Sequence, residues 1–251
     1  MQRQIVKNAE SYVIDLLKSG LKPEHGYHDL KHTLSVRDAS QELGTRYRLT
    51  DDELELLALA GLFHDTGFTK TYVGHEEASK EIATAFLQKE QYAQEKIEQV
   101  NRLIEVTKVG VEPELLLEKI IKDADFNTNG STYEEKSAAL RKEWEVFCNQ
   151  QMTDDEWTEN GLNFWESHRF YTGEAQALYG DAKRKTLKTL RKAVEKIKPT
   201  EEMLDFAISK SKSAQMMFKT TLRNQIDLTN IADNKANIML SINSLLITIG
   251  I

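Results

Sequence analysis

An imidazole and a carboxylate, His64 and Asp65, stand side by side after the apolar pair Leu62-Phe63 and just before Thr66-Gly67. Neighbouring residues on a helix point about 100° apart, so the two can aim at one point only where the helix stops. A metal ion is the usual occupant of such a point. A His-Asp pair by itself is more often a polar pair satisfied near a core, so its company decides. Tyr27-His28-Asp29-Leu30-Lys31-His32-Thr33 lies upstream, Gly74-His75-Glu76-Glu77 follows, and Lys122-Asp123-Ala124-Asp125 comes later. Five of the six histidines fall within the first 75 residues. Imidazoles mixed with carboxylates suit Mn²⁺, Fe²⁺, Zn²⁺ or Mg²⁺, and the lack of thiolates argues against a structural zinc cluster. A metal with open positions acidifies bound water and polarises a phosphoryl oxygen, which together describe phosphoester hydrolysis.

These residues have to be positioned by helices. Only three prolines and twelve glycines interrupt a chain rich in Ala, Leu, Glu and Lys, so the expected class is all-α. Ile5, Ala9, Tyr12, Val13, Leu16 and Leu17 keep a helical spacing, with Gly20 placed to stop the helix in a left-handed conformation. A second helix from Tyr27 or His28 would put His28 and His32 on one face. Thr50 to Glu53 is a capping box opening a third helix through Leu54, Leu57, Ala58, Gly61 and Leu62, which ends at His64-Asp65 and is closed by Gly67. Further helices run over 76–89, through Ile97, Val100, Leu103 and Ile104 to end before Gly110, and from Pro113 to Asp125. Asp125 falls at a helix C-terminus, where carbonyls already supply negative charge, and a nearby cation or solvent exposure would relieve the conflict. Capping boxes at Ser131 to Glu134 and Thr153 to Glu156 open two more helices, carrying Leu140, Trp144 and Phe147, and Trp157 and Leu162. The aromatic cluster Phe164, Trp165, Phe170 and Tyr171 reads as core packing. A helix from Glu174 to Lys198 closes the bundle.

At a net charge of −7 the chain lacks a non-specific grip on duplex nucleic acid, since that attraction comes from Lys and Arg against phosphates. An anionic substrate must then be held locally, and Lys108 and Arg141 are the candidate phosphate contacts. Cys148 is the only cysteine, which excludes an intrachain disulfide and fits a reducing, cytoplasmic setting. The opening Met1-Gln2-Arg3-Gln4-Ile5 is amphipathic rather than a continuous apolar run, so no cleaved secretory signal is expected.

After Pro199 no helix breaker occurs before Gly250, which allows one helix of about 50 residues, roughly 75 Å long. A four-three spacing from Leu204 to Leu246 permits self-association, although polar members weaken the pattern. Residues 238–251 carry no charge but fall short of the ~20 apolar residues that a membrane span needs. Either they form a buried or interfacial segment, or the chain stops partway into a transmembrane helix, and the second is the expectation. The organisation read from sequence is therefore a helical domain over 1–198 and a long helix over 199–251.

Taken in order, these segments resemble the HD-domain metal-dependent phosphohydrolases, named for an adjacent His-Asp pair. The closest likeness is to a subgroup with Tyr27-His28 to His32-Thr33, Ala60 to Asp65, His75-Glu76 to Ser79 and Asp123-Ala124-Asp125 in that order. The resemblance implies an HD-domain helical bundle with His32, His64, Asp65 and Asp125 as ligands of the main metal, Mn²⁺ first among the candidates, and Asp65 bridging to any second ion. His28 resembles the histidine that protonates the leaving oxygen in related cyclic-nucleotide phosphodiesterases. His75 would ligate a second metal, contact phosphate or serve structure. The implied substrate is a small nucleotide, cyclic or linear.

Residues 224–251, with Gln225-Ile226-Asp227-Leu228 and Ile231 to Asn237, resemble the start of the membrane-effector module of Pycsar antiphage systems. That likeness implies a domain tethered to the inner membrane, and an alternative role as a nucleotide sensor coupled to a membrane effector in antiviral defence. An oligomeric adaptor with a relic His and Asp cluster is the third reading.

Overall fold

A computed structural model describes residues 3–127, 132–197, 216–217 and 219–224. Among them there is no strand. The chain divides into two units, 1–195 and 196–251. The first is built from α1 (Gln4–Gly20), α2 (Leu30–Arg46), α3 (Asp51–Phe63), a short 3₁₀ turn (Thr66–Thr69), α4 (His75–Lys89), α5 (Gln94–Thr107), α6 (Leu116–Asp125), α7 (Tyr133–Phe147), α8 (Asp154–Ser167) and α9 (Gly173–Ile197). It is the helical bundle expected.

The bundle is organised around α3. Thr50 and Glu53 cap it reciprocally, and every residue from Glu55 to Phe63 is buried. A helix apolar on all sides has to be enclosed, and α1, α2, α5 and α6 all pack against it. Glu55, the one carboxylate in that run, accepts a 2.6 Å hydrogen bond from the Tyr92 hydroxyl, which makes its burial tolerable. The enclosure holds the end of α3, and so His64 and Asp65, in the middle of the domain.

Several local expectations are corrected. The second helix starts at Leu30, because the Asp29 carboxylate caps it by accepting from the His32 amide at 2.7 Å. His28 therefore precedes the helix and does not share a helical face with His32. Gly20 ends α1 without a left-handed turn; its open face lies against the Thr69 side chain. Pro113 lies ahead of α6, and Glu118 in the first turn of that helix accepts from the amides of Glu114 and Leu115 just before it. The capping pair of α7 is Thr132 with Glu135, one residue later than expected, while Thr153 with Glu156 stands as read. Of the aromatic cluster only Phe170 is buried, and α8 has no buried residue.

Gly67 does not close α3 either. It lies in the 3₁₀ turn, where its amide donates to Ser79 Oγ at 2.8 Å, and a Cβ there would stand 1.9 Å from the His75 carbonyl oxygen. The glycine thus lets the turn after Asp65 touch the first turn of α4, which carries His75. Gly67→Ala should destabilise the domain by about 3 kcal/mol, because backbone rather than a flexible side chain must move. Thermal unfolding checks this, with a drop of about 6–12 °C expected.

The helix expected over 199–251, its spacing for self-association, its apolar end and the likeness to a membrane module lie outside the described residues, apart from 216–217 and 219–224, which are helical and exposed. Among the described residues no helix is long and apolar enough to cross a membrane.

Candidate metal centre

Four helix ends converge. His32 lies in the first turn of α2, His64 caps the C-terminus of α3 with Asp65 next to it, His75 opens α4, and Asp125 is the last residue of α6. His32 Nε2 stands 3.1 Å from Asp125 Oδ1 and 3.4 Å from Asp65 Oδ2. His64 Nε2 is 3.0 Å from Asp65 Oδ2 and 3.6 Å from Asp125 Oδ1. His75 Nε2 approaches the other oxygen of Asp65 at 3.5 Å and Glu76 at 3.8 Å. Residues nearly a hundred positions apart in sequence thus bring their polar atoms to one place.

The arrangement fits a cation. His32 Nε2, His64 Nε2 and Asp65 Oδ2 are buried, and none makes a hydrogen bond, an expensive condition unless something else satisfies them. Ligand atoms of His32, His64 and Asp125 lie within 4.8 Å of one another. Atoms about 2.1 Å from a shared ion stand roughly 3.0–3.4 Å apart at octahedral or tetrahedral angles, close to the separations seen. His64 Nδ1 is turned to the Gly61 carbonyl at 2.9 Å, which fixes the ring and leaves Nε2 facing the cluster.

Residues 29–126 match the HD domain family. The matched segment contains His32, His64, Asp65, His75 and Asp125. A solved structure described as a predicted HD superfamily hydrolase, from an uncultured Thermotogales bacterium, is similar at 19% identity, covering 76% of this chain and 92% of its own with a TM-score of 0.49. No curated protein matches the chain significantly. The HD domain and its His32, His64 and Asp125 group together support a metal-dependent phosphohydrolase.

Charge is finely balanced at this centre. Burial disfavours protonated His32 and His64, yet Asp65 and Asp125 outweigh it and hold both imidazoles above their ordinary value, His64 well above. Burial likewise disfavours ionised Asp65 and Asp125, but the imidazoles keep both carboxyls below the ordinary carboxylate range. A cation must therefore displace protons from the imidazoles and none from the carboxyls. Affinity should rise with pH, about tenfold per unit for each proton displaced, until the imidazoles are neutral in the free protein. Calorimetric Mn²⁺ titrations between about pH 6 and 8.5 in buffers of different protonation enthalpy measure this. A flat profile without proton release would contradict it.

A second group of residues, with Tyr27, His28 and Glu143 from outside the matched segment, stands beside the centre. His28 Nδ1 lies 2.6 Å from Glu143 Oε2, and the other oxygen of Glu143 accepts from the amides of Tyr27 and His28 at 2.6 and 2.9 Å. The Tyr72 hydroxyl adds a fourth donor at 3.1 Å. Glu143 is fully buried; burial pushes its carboxyl up, but His28 and the two amides outweigh it and hold it below its usual value. Phe68 stacks between His28 at 4.2 Å and His75 at 3.8 Å, so one buried ring spaces the two imidazoles.

Sequence reading did not single out Glu143. The signal was present: it lies three residues after Leu140 and four before Phe147, on the stripe expected to face inward, and it is the one buried residue of α7. The phosphate candidates fare differently. Arg141, two positions and about 200° around α7 from Glu143, binds Asp154 and the Met152 carbonyl and lies over Trp157. Lys108 caps α5, and its carbonyl accepts from the buried Lys122 ammonium at 2.8 Å. Neither is among the groups brought together at the centre. Asp123, two residues before Asp125, also faces the other way: its carboxylate holds the amides of Tyr171 and Thr172 and the Thr172 hydroxyl at 2.7–2.8 Å, tying the start of α9 to α6.

Proposed function

We propose that the chain hydrolyses a phosphoester bond in a small nucleotide, with a divalent cation, Mn²⁺ first among the candidates, held by His32, His64, Asp65 and Asp125. The observation that carries this reading is the meeting of two buried imidazole nitrogens that lack hydrogen bonds with two carboxylates at the ends of α2, α3 and α6. A bound cation would supply Lewis acidity toward a phosphoryl oxygen and an acidified water near neutral pH. The protein supplies the rest.

Asp65 offers one oxygen to His32 and His64 and the other toward His75, which suits it to bridge two ions if a second is taken up. His28 serves as the acid that protonates the leaving oxygen. In support, Glu143 engages Nδ1 and leaves Nε2 as the nitrogen for the substrate, while Phe68 and Glu143 fix the ring plane. His75 stands beside Asp65 as a second-ion ligand or phosphate contact. The net charge of −7 favours a small ligand gripped locally over a duplex. Residues 1–198 are assigned to this activity, and membrane contact and self-association through 199–251 are further proposals resting on sequence alone.

Metal analysis of purified protein followed by incubation with cyclic nucleotides, linear nucleotides and short oligonucleotides tests the reading. Metal-dependent release of a phosphomonoester or nucleoside, lost in His64→Ala and Asp65→Ala, is the expected result. Turnover unaffected by either substitution would place the chemistry elsewhere, and tight binding without product would favour a sensor.

A further inference from the structure

After the 3₁₀ turn that follows Asp65, residues 70–74 run to His75 and all are exposed except Tyr72. Three separate contacts meet at that one residue. Its hydroxyl donates to Glu143 Oε2 at 3.1 Å, the same oxygen that stands 2.6 Å from His28 Nδ1. Its carbonyl accepts from His75 Nδ1 at 3.3 Å, which turns His75 Nε2 toward Asp65 at 3.5 Å. Its ring stacks on Phe147 at 4.9 Å with the planes 14° apart, and Phe68 meets it at 5.1 Å. Glu143 and Phe147 are four positions apart and so share a face of α7. That helix grips Tyr72 twice, once at the ring and once at the hydroxyl. Phe68 spaces the rings of His28 and His75, and Tyr72 ties the Nδ1 atoms of both to a single residue, one through Glu143 and one directly. A hydroxyl on the carboxylate oxygen that also holds the His28 ring limits how far that oxygen can swing, so His28 Nε2 keeps its heading.

We infer that Tyr72 is a positioning residue for the reaction: through Glu143 it holds His28 Nε2 toward the departing oxygen, and through its carbonyl it holds His75 Nε2 toward Asp65. The inference rests on the proposed reaction, in which the proton of His28 Nε2 passes to the leaving oxygen as the phosphorus–oxygen bond breaks. Tyr72 acts through the two imidazoles.

Leaving-group dependence in the full chain separates this role from a merely structural one. In thymidine 5′-(p-nitrophenyl phosphate) the nitrophenolate departs as a stable anion and needs no proton, whereas the sugar alkoxide leaving a thymidine dinucleotide does. With Mn²⁺ present, Tyr72→Phe keeps the ring against Phe147 and should lower kcat for the dinucleotide about tenfold. It should hold the nitrophenyl ester within about twofold and leave both KM values and the stabilisation by Mn²⁺ unchanged. In a His28→Gln background the same substitution should cost nothing further, because it acts through that ring. Equal losses on the two esters, no loss on either, or a loss that persists without the His28 imidazole would overturn the inference. A second readout needs no turnover: in metal-free protein, imidazole nitrogen-15 spectra should show His28 bonded through Nδ1–H, with that proton resonance displaced by Tyr72→Phe. A His28 resonance that does not respond would overturn the inference whatever the activity. If the wild type cleaves neither ester and the resonance still responds, the hold of Tyr72 on His28 stands and the proposed reaction falls.

Discussion

His64→Ala should lower kcat/KM by at least about 10³-fold and abolish stabilisation by added Mn²⁺. His64 is buried, its Nδ1 is spent on the Gly61 carbonyl, and its Nε2 lies against both Asp65 and Asp125. Removing it deletes one nitrogen ligand and leaves two buried carboxylates with less positive charge to balance them. A cation acting on phosphoryl oxygen contributes several kcal/mol to transition-state stabilisation, and each 1.36 kcal/mol is a factor of ten. A cation at about a hundred times its Kd stabilises the folded chain by about 2.7 kcal/mol, so the wild type should melt higher with Mn²⁺ and the variant should not. Paired melting curves with and without metal separate loss of the ion from loss of the fold. A variant that still gains stability from Mn²⁺ would show that the ion is held elsewhere.

Glu143→Ala should be nearly as damaging by a different route. Four donors meet this carboxylate, namely the Tyr27 and His28 amides, the His28 ring and the Tyr72 hydroxyl. Leaving a buried donor without its acceptor costs about 1–3 kcal/mol, and a misdirected general acid forfeits much of its ~10²–10⁴-fold contribution. Glu143→Gln keeps the shape and one acceptor oxygen, so it should fold better than the alanine variant yet still lose about 10²-fold in kcat, with KM little changed. The pH dependence of stability has a defined sign. The carboxyl is held below its usual value in the folded protein, so its contribution is present above the ordinary carboxylate range and lost as pH falls through the depressed value. Acid unfolding of Glu143→Gln should lack that component. A glutamine variant with wild-type turnover would remove Glu143 and His28 from the reaction.

What sequence can reveal here follows the range of the forces involved. Thr50 with Glu53 and Thr153 with Glu156 are local pairs three residues apart, and both capping boxes form as read. The residues at the centre were legible because helix ends impose their own geometry: His64-Asp65 could share a target only at a terminus, and α3 stops there. The same reasoning misplaced His28, since Asp29 competes for the start of α2 and wins by capping it. Gly20 and Gly67 were read as turn formers, whereas both serve close approach across the fold, to Thr69 and to the His75 backbone, which no local pattern displays. Glu143 acts over 115 residues on His28, and only its place on an inward stripe of α7 hinted at that. Arg141 was chosen as a cation at a helix edge, and Asp154 and the Met152 carbonyl engage it.

The central claim is that one cation sits among His32, His64, Asp65 and Asp125. Anomalous diffraction from Mn²⁺-grown crystals of the active protein addresses it directly. The account predicts a single strong peak within about 2.0–2.3 Å of His32 Nε2, His64 Nε2 and an Asp125 oxygen. A peak elsewhere, or none at this cluster in protein that still turns substrate over, would contradict it.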